Sequence, residues 1–114
     1  MEIELPWPPS TNIYWRRSGN HLHISKKAKD YINLVLKLSI SIKKEPLKNR
    51  VSLKIQAFPP DKRIRDLDNL LKVFIDALER ANFFLDDSQI DCIYIERQQV
   101  IPNGKMIVNI EEIK

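Results

Sequence analysis

The sequence predicts an α+β fold, a single small domain in which a roughly four-stranded mixed sheet carries two helices packed on one face. Two segments repeat apolar residues at helical spacing, others alternate between proline and turn signals, and their order is strand, helix, strand, helix, strand, strand. With 114 residues, 43% of them hydrophobic and 30% charged, the chain suffices for one core and not for two, so 1–114 is read as one unit. Two glycines and the lack of any low-complexity tract exclude a disordered protein.

Residues 2–5 alternate, with Ile3 and Leu5 inward, and Pro6-Trp7-Pro8-Pro9 stops them as a first strand. Residues 10–20 read as a loop bearing Asn12, Tyr14, Trp15, Arg16 and Arg17. Such aromatic and guanidinium groups stack on bases and grip phosphates; the aromatic ones equally plug the edge of a core. His21 and His23 share one side of a short strand, but no further His or Cys accompanies them, and they read as surface or hydrogen-bonded histidines rather than metal ligands. Ser25 is the N-cap of a helix running to about Lys44, with Ala28, Tyr31, Ile32, Val35, Leu38 and Ile42 on its inner face, and Glu45-Pro46 ends it. Residues 51–58 alternate cleanly and stop at Pro59-Pro60. A second helix follows, with Leu67, Leu70, Leu71, Phe74, Leu78 and Ala81 on one face. Phe83-Phe84-Leu85 return to the core, a strand runs from about Ile90 to Gln98, and Pro102-Asn103-Gly104 turns the chain into a last strand from Lys105 to Ile113. These two strands are expected to pair as an antiparallel hairpin.

The net charge of +4 hides a division: residues 1–65 hold fourteen Lys and Arg against five Asp and Glu, whereas residues 66–114 hold five against ten. A basic half suits a polyanion such as nucleic acid; an acidic half suits it only where the carboxylates hold a cation against the phosphates. No stretch is long and apolar enough for a membrane, and residues 1–5 lack the start of a signal peptide, so no membrane partner and a cytoplasmic location are expected. Cys92, the only cysteine, fits a reducing compartment and reads as a small apolar residue in a strand.

The junction of the two halves is the stretch R-I-R-D-L-D-N-L-L at 63–71, where Asp66 and Asp68 follow a basic run and open the second helix, with Asp86-Asp87 beyond its far end. Two readings stand. Asp66 as N-cap would take the Asn69 N–H, at about 1 kcal/mol, and both carboxylates would favour the positive end of the helix. Alternatively the repulsion among four carboxylates is relieved by a hard divalent cation such as Mg²⁺, which takes one or two carboxylates plus water and phosphate oxygens. Lys72, on the outer face, is either an i,i+4 partner of Asp68 or Asp76 or a charge placed for chemistry. A helix of about 16 residues is roughly 24 Å long, so the two acidic pairs meet only if residues 82–87 fold back.

The stretches L-P-W-P-P-S-T-N at 5–12, P-D-K-R-I-R-D-L-D-N-L-L-K at 60–72 and D-A-L-E-R-A-N-F-F-L-D-D-S-Q-I at 76–90 resemble the RusA-type Holliday-junction resolvases in order and spacing, through nearly the whole chain. The resemblance implies a small homodimeric, Mg²⁺-dependent endonuclease that binds four-way DNA junctions and places paired nicks. Carried over by position, the essential carboxylates fall on Asp66, Asp68 and Asp87, with Asp86 beside them as a further metal ligand and Lys72 as the functional lysine. Arg16, Arg17, Lys62, Arg63, Arg65 and Asn69 are the expected DNA contacts. Two departures from the family pattern are Ile64, which interrupts the basic run, and Asn82, where glycine is common. In such a site the carboxylates hold metal that polarises the phosphate and generates hydroxide, with Lys72 stabilising developing charge. The rival functions are a nuclease acting on flaps or forks and a non-catalytic DNA-binding module.

Overall fold

Alternation along the strands decides which residues enter the core, in a computed structural model that describes residues 1–11, 15–19, 21–42 and 45–114, and only the backbone of Arg16, Ser18 and His21. The elements run β1 (Glu2–Leu5), β2 (Trp15–Ser18), β3 (His21–Ile24), α1 (Lys26–Ser39), β4 (Val51–Phe58), α2 (Leu71–Arg80), β5 (Ile90–Arg97) and β6 (Lys105–Glu112), with one-turn 3-10 helices at Leu67–Leu70 and Asp87–Gln89. A four-stranded mixed sheet has the order β1-β6-β4-β5, in which β4 and β5 are parallel and the other pairs antiparallel. On one face Ile3, Leu5, Val51, Leu53, Ile55, Ala57, Met106, Val108 and Ile110 are buried, together with Ala28, Tyr31, Ile32 and Val35 of α1 and Val73, Phe74, Ala77 and Leu78 of α2. The predicted α+β class, with two helices against one sheet, is what forms. No helix of the described residues is long and apolar enough to cross a membrane.

Three expectations are corrected. First, β5 and β6 do not form a hairpin: the chain steps over the end of β4, and β6 inserts between β1 and β4. The turn at 102–104 is real, with Asn103 and Gly104 at φ of 69° and 66°, but it directs a crossing. Burial explains the choice. Met106, Val108 and Ile110 need cover on both sides and take an interior position, whereas β5, with Asp91, Glu96 and Arg97, tolerates the edge. Cys92, expected to be an apolar strand residue, is accordingly exposed there.

Second, residues 15–18 are a strand rather than loop, paired with β3 in a separate two-stranded ribbon that turns at Gly19, φ 61°. Third, α1 stops at Ser39, short of Lys44; Leu38, expected on the inner face, lies on its exposed side, and Ile42, beyond its end, is only partly buried. The run Ser39-Ile40-Ser41-Ile42 combines hydroxyls that compete for backbone with β-branched side chains, both poor at extending a helix. The expected cap is present: Ser25 Oγ accepts the Ala28 N–H at 3.3 Å.

Candidate active site

The acidic half of the site is built where α2 ends. Asn82 sits at φ 65° in the left-handed region, with its N–H donating to Glu79 O and the Phe83 N–H to Leu78 O. This is a Schellman turn, the conformation that glycine adopts most readily and asparagine tolerates, so Asn82 serves where glycine is common. The chain is then tied back across the molecule. Leu47 N–H donates to Phe83 O, and Leu47 and Phe84 form a parallel bridge.

Gln89 completes the fold-back. Its Oε1 accepts the Leu85 and Asp86 N–H groups, both at 2.8 Å, and its Nε2 donates to Leu47 O at 2.9 Å and Asn49 O at 2.7 Å. The side chain is buried, so truncation strands four backbone groups away from their partners. Gln89→Ala is expected to cost about 3 kcal/mol in chemical denaturation and to release the 85–87 turn, lowering any activity that depends on Asp86 and Asp87.

Held in this way, Asp87 donates its N–H to Glu79 Oε1 at 2.7 Å, and Glu79, Asp86 and Asp87 each present a carboxylate oxygen within 4.8 Å of the others. Asp86 Oδ2 accepts the Ser88 N–H at 3.0 Å, which pulls its carboxyl below the usual range and keeps it ionised into mild acid. Three carboxylates gathered in this way could hold a metal ion of the kind that takes oxygen ligands, rather than one preferring sulfur or imidazole.

Asp66 and Asp68 lie at the opposite end of the helix. The first turn is 3-10, and the Asn69 N–H bonds the backbone carbonyl of Asp66 at 3.2 Å. The expected side-chain cap is therefore not made, and both carboxylates face outward, exposed. Between the two ends run Lys72 and Asp76, whose Nζ and carboxylate approach to 3.4 Å, with the Asp76 side chain 14% exposed. Spacings of four, four and three put Asp68, Lys72, Asp76 and Glu79 on one stripe of the helix. From Asp68 to Glu79 the axial distance is about 17 Å, at roughly 2.0 Å per 3-10 residue and 1.5 Å per α residue. Within one chain, then, Asp86 and Asp87 meet Glu79, and neither Asp66 nor Asp68 belongs to that cluster.

The basic approach is more structural than its composition suggests. Asp61 accepts Arg63 Nη2 at 2.9 Å and Arg65 Nη2 at 2.8 Å, and Arg63 above all holds the Asp61 carboxyl far below its usual range. Arg65 also donates to Asp61 O and Arg63 O and lies 5.7 Å over the Trp7 ring, and Arg97 Nη2 donates to Arg65 O at 2.7 Å. Arg65 is thus largely enclosed, while Lys62 and Arg63 stay exposed. Asn69 lines the cavity beside this loop, and its carbonyl accepts Thr11 Oγ1 at 2.6 Å. Arg17 is exposed on β2; Asn12, Tyr14 and the side chains of Arg16 and His21 lie outside what the structure describes. Glu79 and Gln89 escaped the sequence reading. The stripe spacing from Asp68 would have pointed to Glu79; nothing local marks Gln89.

Residues 6–111 match the family described as Endodeoxyribonuclease RusA. A crossover junction endodeoxyribonuclease rusA of Enterobacteria phage HK97 is 40% identical over 99% of this chain and 95% of that protein. The protein of the same name from Enterobacteria phage 82 is 38% identical, and that of Escherichia coli strain K12 is 36% identical, each over 97% of this chain and 93% of the relative.

Proposed function

The chain belongs to the RusA family of endodeoxyribonucleases, and from that premise we propose that it is a Mg²⁺-dependent crossover junction endodeoxyribonuclease. It binds four-way DNA in recombination and repair and resolves it by paired symmetric nicks. The observation that carries this reading is the Glu79, Asp86 and Asp87 cluster, assembled by a dedicated turn in a chain that matches the family almost end to end. When bound, Mg²⁺ supplies polarisation of a phosphoryl oxygen and a more acidic water. Asp66, Asp68, Asp86 and Asp87 are its ligands, with Glu79 added to the set. Lys72 supplies positive charge midway along the stripe, suited to a phosphate whose charge increases during attack. Lys62, Arg63, Arg17 and Arg16 provide the phosphate contacts, with Asn69 at the edge of the cleft; Arg65 acts through the loop it fastens.

Two acidic groups about 17 Å apart cannot share an ion, and a second copy of the chain resolves this. The edge strand β5 is its docking surface. Ile93 is 42% and Tyr94 57% exposed there, and Gln98 N–H donates to Ala57 O, so by alternation Ile93, Ile95 and Arg97 turn their N–H and C=O groups away from β4. A twofold axis through Tyr94 sets Ile93 against the partner's Ile95 and sets Asp91, itself paired with Arg50 of its own chain, against the partner's Arg97. Centring on Ile93 or Ile95 instead sets Asp91 against Ile95 or Gln99 and forgoes the charge match. In the favoured register the start of β5, just after Asp86 and Asp87, lies beside the end of the partner's β5, where Arg97 holds the carbonyl next to Asp66. Each of two sites then takes Asp66 and Asp68 from one chain and Asp86 and Asp87 from the other, and isologous symmetry supplies the two cuts.

The test is cleavage of a synthetic mobile four-way junction, beside a fork and a linear duplex, with and without Mg²⁺. Junction-selective, Mg²⁺-dependent paired nicking is expected; equal cutting of forks favours the flap-and-fork nuclease, and binding without cleavage the DNA-binding module. Ile93→Lys is expected to sediment as a monomer and to lose cleavage, since two buried ammonium groups would face the paired edge.

A further inference from the structure

Ile64 is 99% exposed, although the loop around it is among the most heavily fastened on the surface. On one side Asp61 binds both Arg63 and Arg65; on the other Arg65 packs on Trp7 and its carbonyl is gripped by Arg97. A fixed backbone therefore presents a bare, β-branched side chain to solvent, two residues before Asp66. Ile64 also stands on the wall of an open cavity of about 670 Å³, whose apolar sides are Trp7, Pro8, Pro9 and Pro60 and whose rim includes Asp66 and Asn69. That volume lies within the roughly 300–1,000 Å³ of small-ligand sites.

We infer that Ile64 is a wedge that enters the base stack of the junction beside the cleaved phosphate, and that the cavity against Trp7 and the prolines receives the base so displaced. Apolar side chains inserted between base steps unstack and kink DNA, and they work when neighbouring basic groups hold the backbone in place, as Lys62 and Arg63 are placed to do here. The fixed loop suits this task, because a flexible one would fold its isoleucine away before contact. Bases at a branch point are also the least costly to unstack, since their stacking is already interrupted. A base seated in the cavity would be read by Asn69, which makes Ile64 and Asn69 determinants of sequence preference at the cut.

The wedge presupposes the junction-cleaving function proposed above, and its test separates the two. Four-way junctions carrying 2-aminopurine in turn at each position flanking the branch point are bound by the whole protein in EDTA, so that nothing is cut. A several-fold rise in emission at one position is expected with the native chain, its loss with Ile64→Ala, and its return with Ile64→Leu. Junction affinity should change little, and thermal stability not at all, because the side chain packs against nothing. Native protein that binds the junction without any rise in emission, or an Ile64→Ala variant that gives the full rise, overturns the wedge while leaving the function standing. Absence of junction binding by the native chain overturns both.

Discussion

Asp68→Asn is expected to abolish junction cleavage while leaving junction binding intact or tighter. The substitution is nearly isosteric, and Asp68 makes no cap that its loss would weaken, so the fold should keep its stability within about 0.5 kcal/mol. What changes is charge. One carboxylate leaves an outward-facing pair at the head of the helix, with two consequences of opposite sign. The site loses a hard oxygen ligand, and single groups that stabilise transition-state charge are typically worth about 10²–10³ in rate. The phosphate backbone loses a repelling neighbour, which strengthens binding, and more so at low salt. Single-turnover cleavage and gel-shift titration on one preparation measure both. Cleavage at the native rate would return Asp68 to the surface charge of a helix end, and with it the proposed ligand set.

How much of this was legible depended on the range of the signal. Helix and strand periodicity is local, so Leu67 to Ala81, residues 51–58 and the Ser25 cap could be read directly. Strand order is not local. Two strands joined by a Pro-Asn-Gly turn look like a hairpin until burial is counted, and then the demand of Met106, Val108 and Ile110 for cover on both sides drives β6 past β4. The same limit applies to the site. Asp66, Asp68, Asp86 and Asp87 announce themselves as pairs, but Glu79 looks like one more solvated helix charge until the Schellman turn at Asn82 swings Asp87 against it. Arg65 carries a role in the fold that its place in a basic run does not reveal. It is part of a basic run expected to contact DNA, and its guanidinium also pairs with Asp61 four residues before it and lies over Trp7, far off in sequence. Its alanine variant should therefore disturb the Ile64 loop rather than simply remove a phosphate contact.

The arrangement of ligands across two chains makes a prediction that no single-chain site shares. Asp68→Asn and Asp87→Asn should each be inactive alone, and a mixture allowed to exchange subunits should regain activity. In a mixed dimer of the proposed kind, one site receives both substitutions and the other receives neither, because each site draws Asp68 from one chain and Asp87 from the other. With free exchange at equal concentrations half the dimers are mixed, so about a quarter of all sites are native. Since each mixed dimer holds one working site, its product should be singly nicked junction rather than paired cuts. If instead each chain supplies its own complete site, every site in every mixed dimer carries one substitution, and mixing restores nothing. Denaturing gels of the mixture against its separate components decide between these arrangements. Adding Ile93→Lys to both chains should remove the regained activity, because a monomer offers Asp66 and Asp68 at one end of α2, Asp86 and Asp87 at the other, and about 17 Å between them.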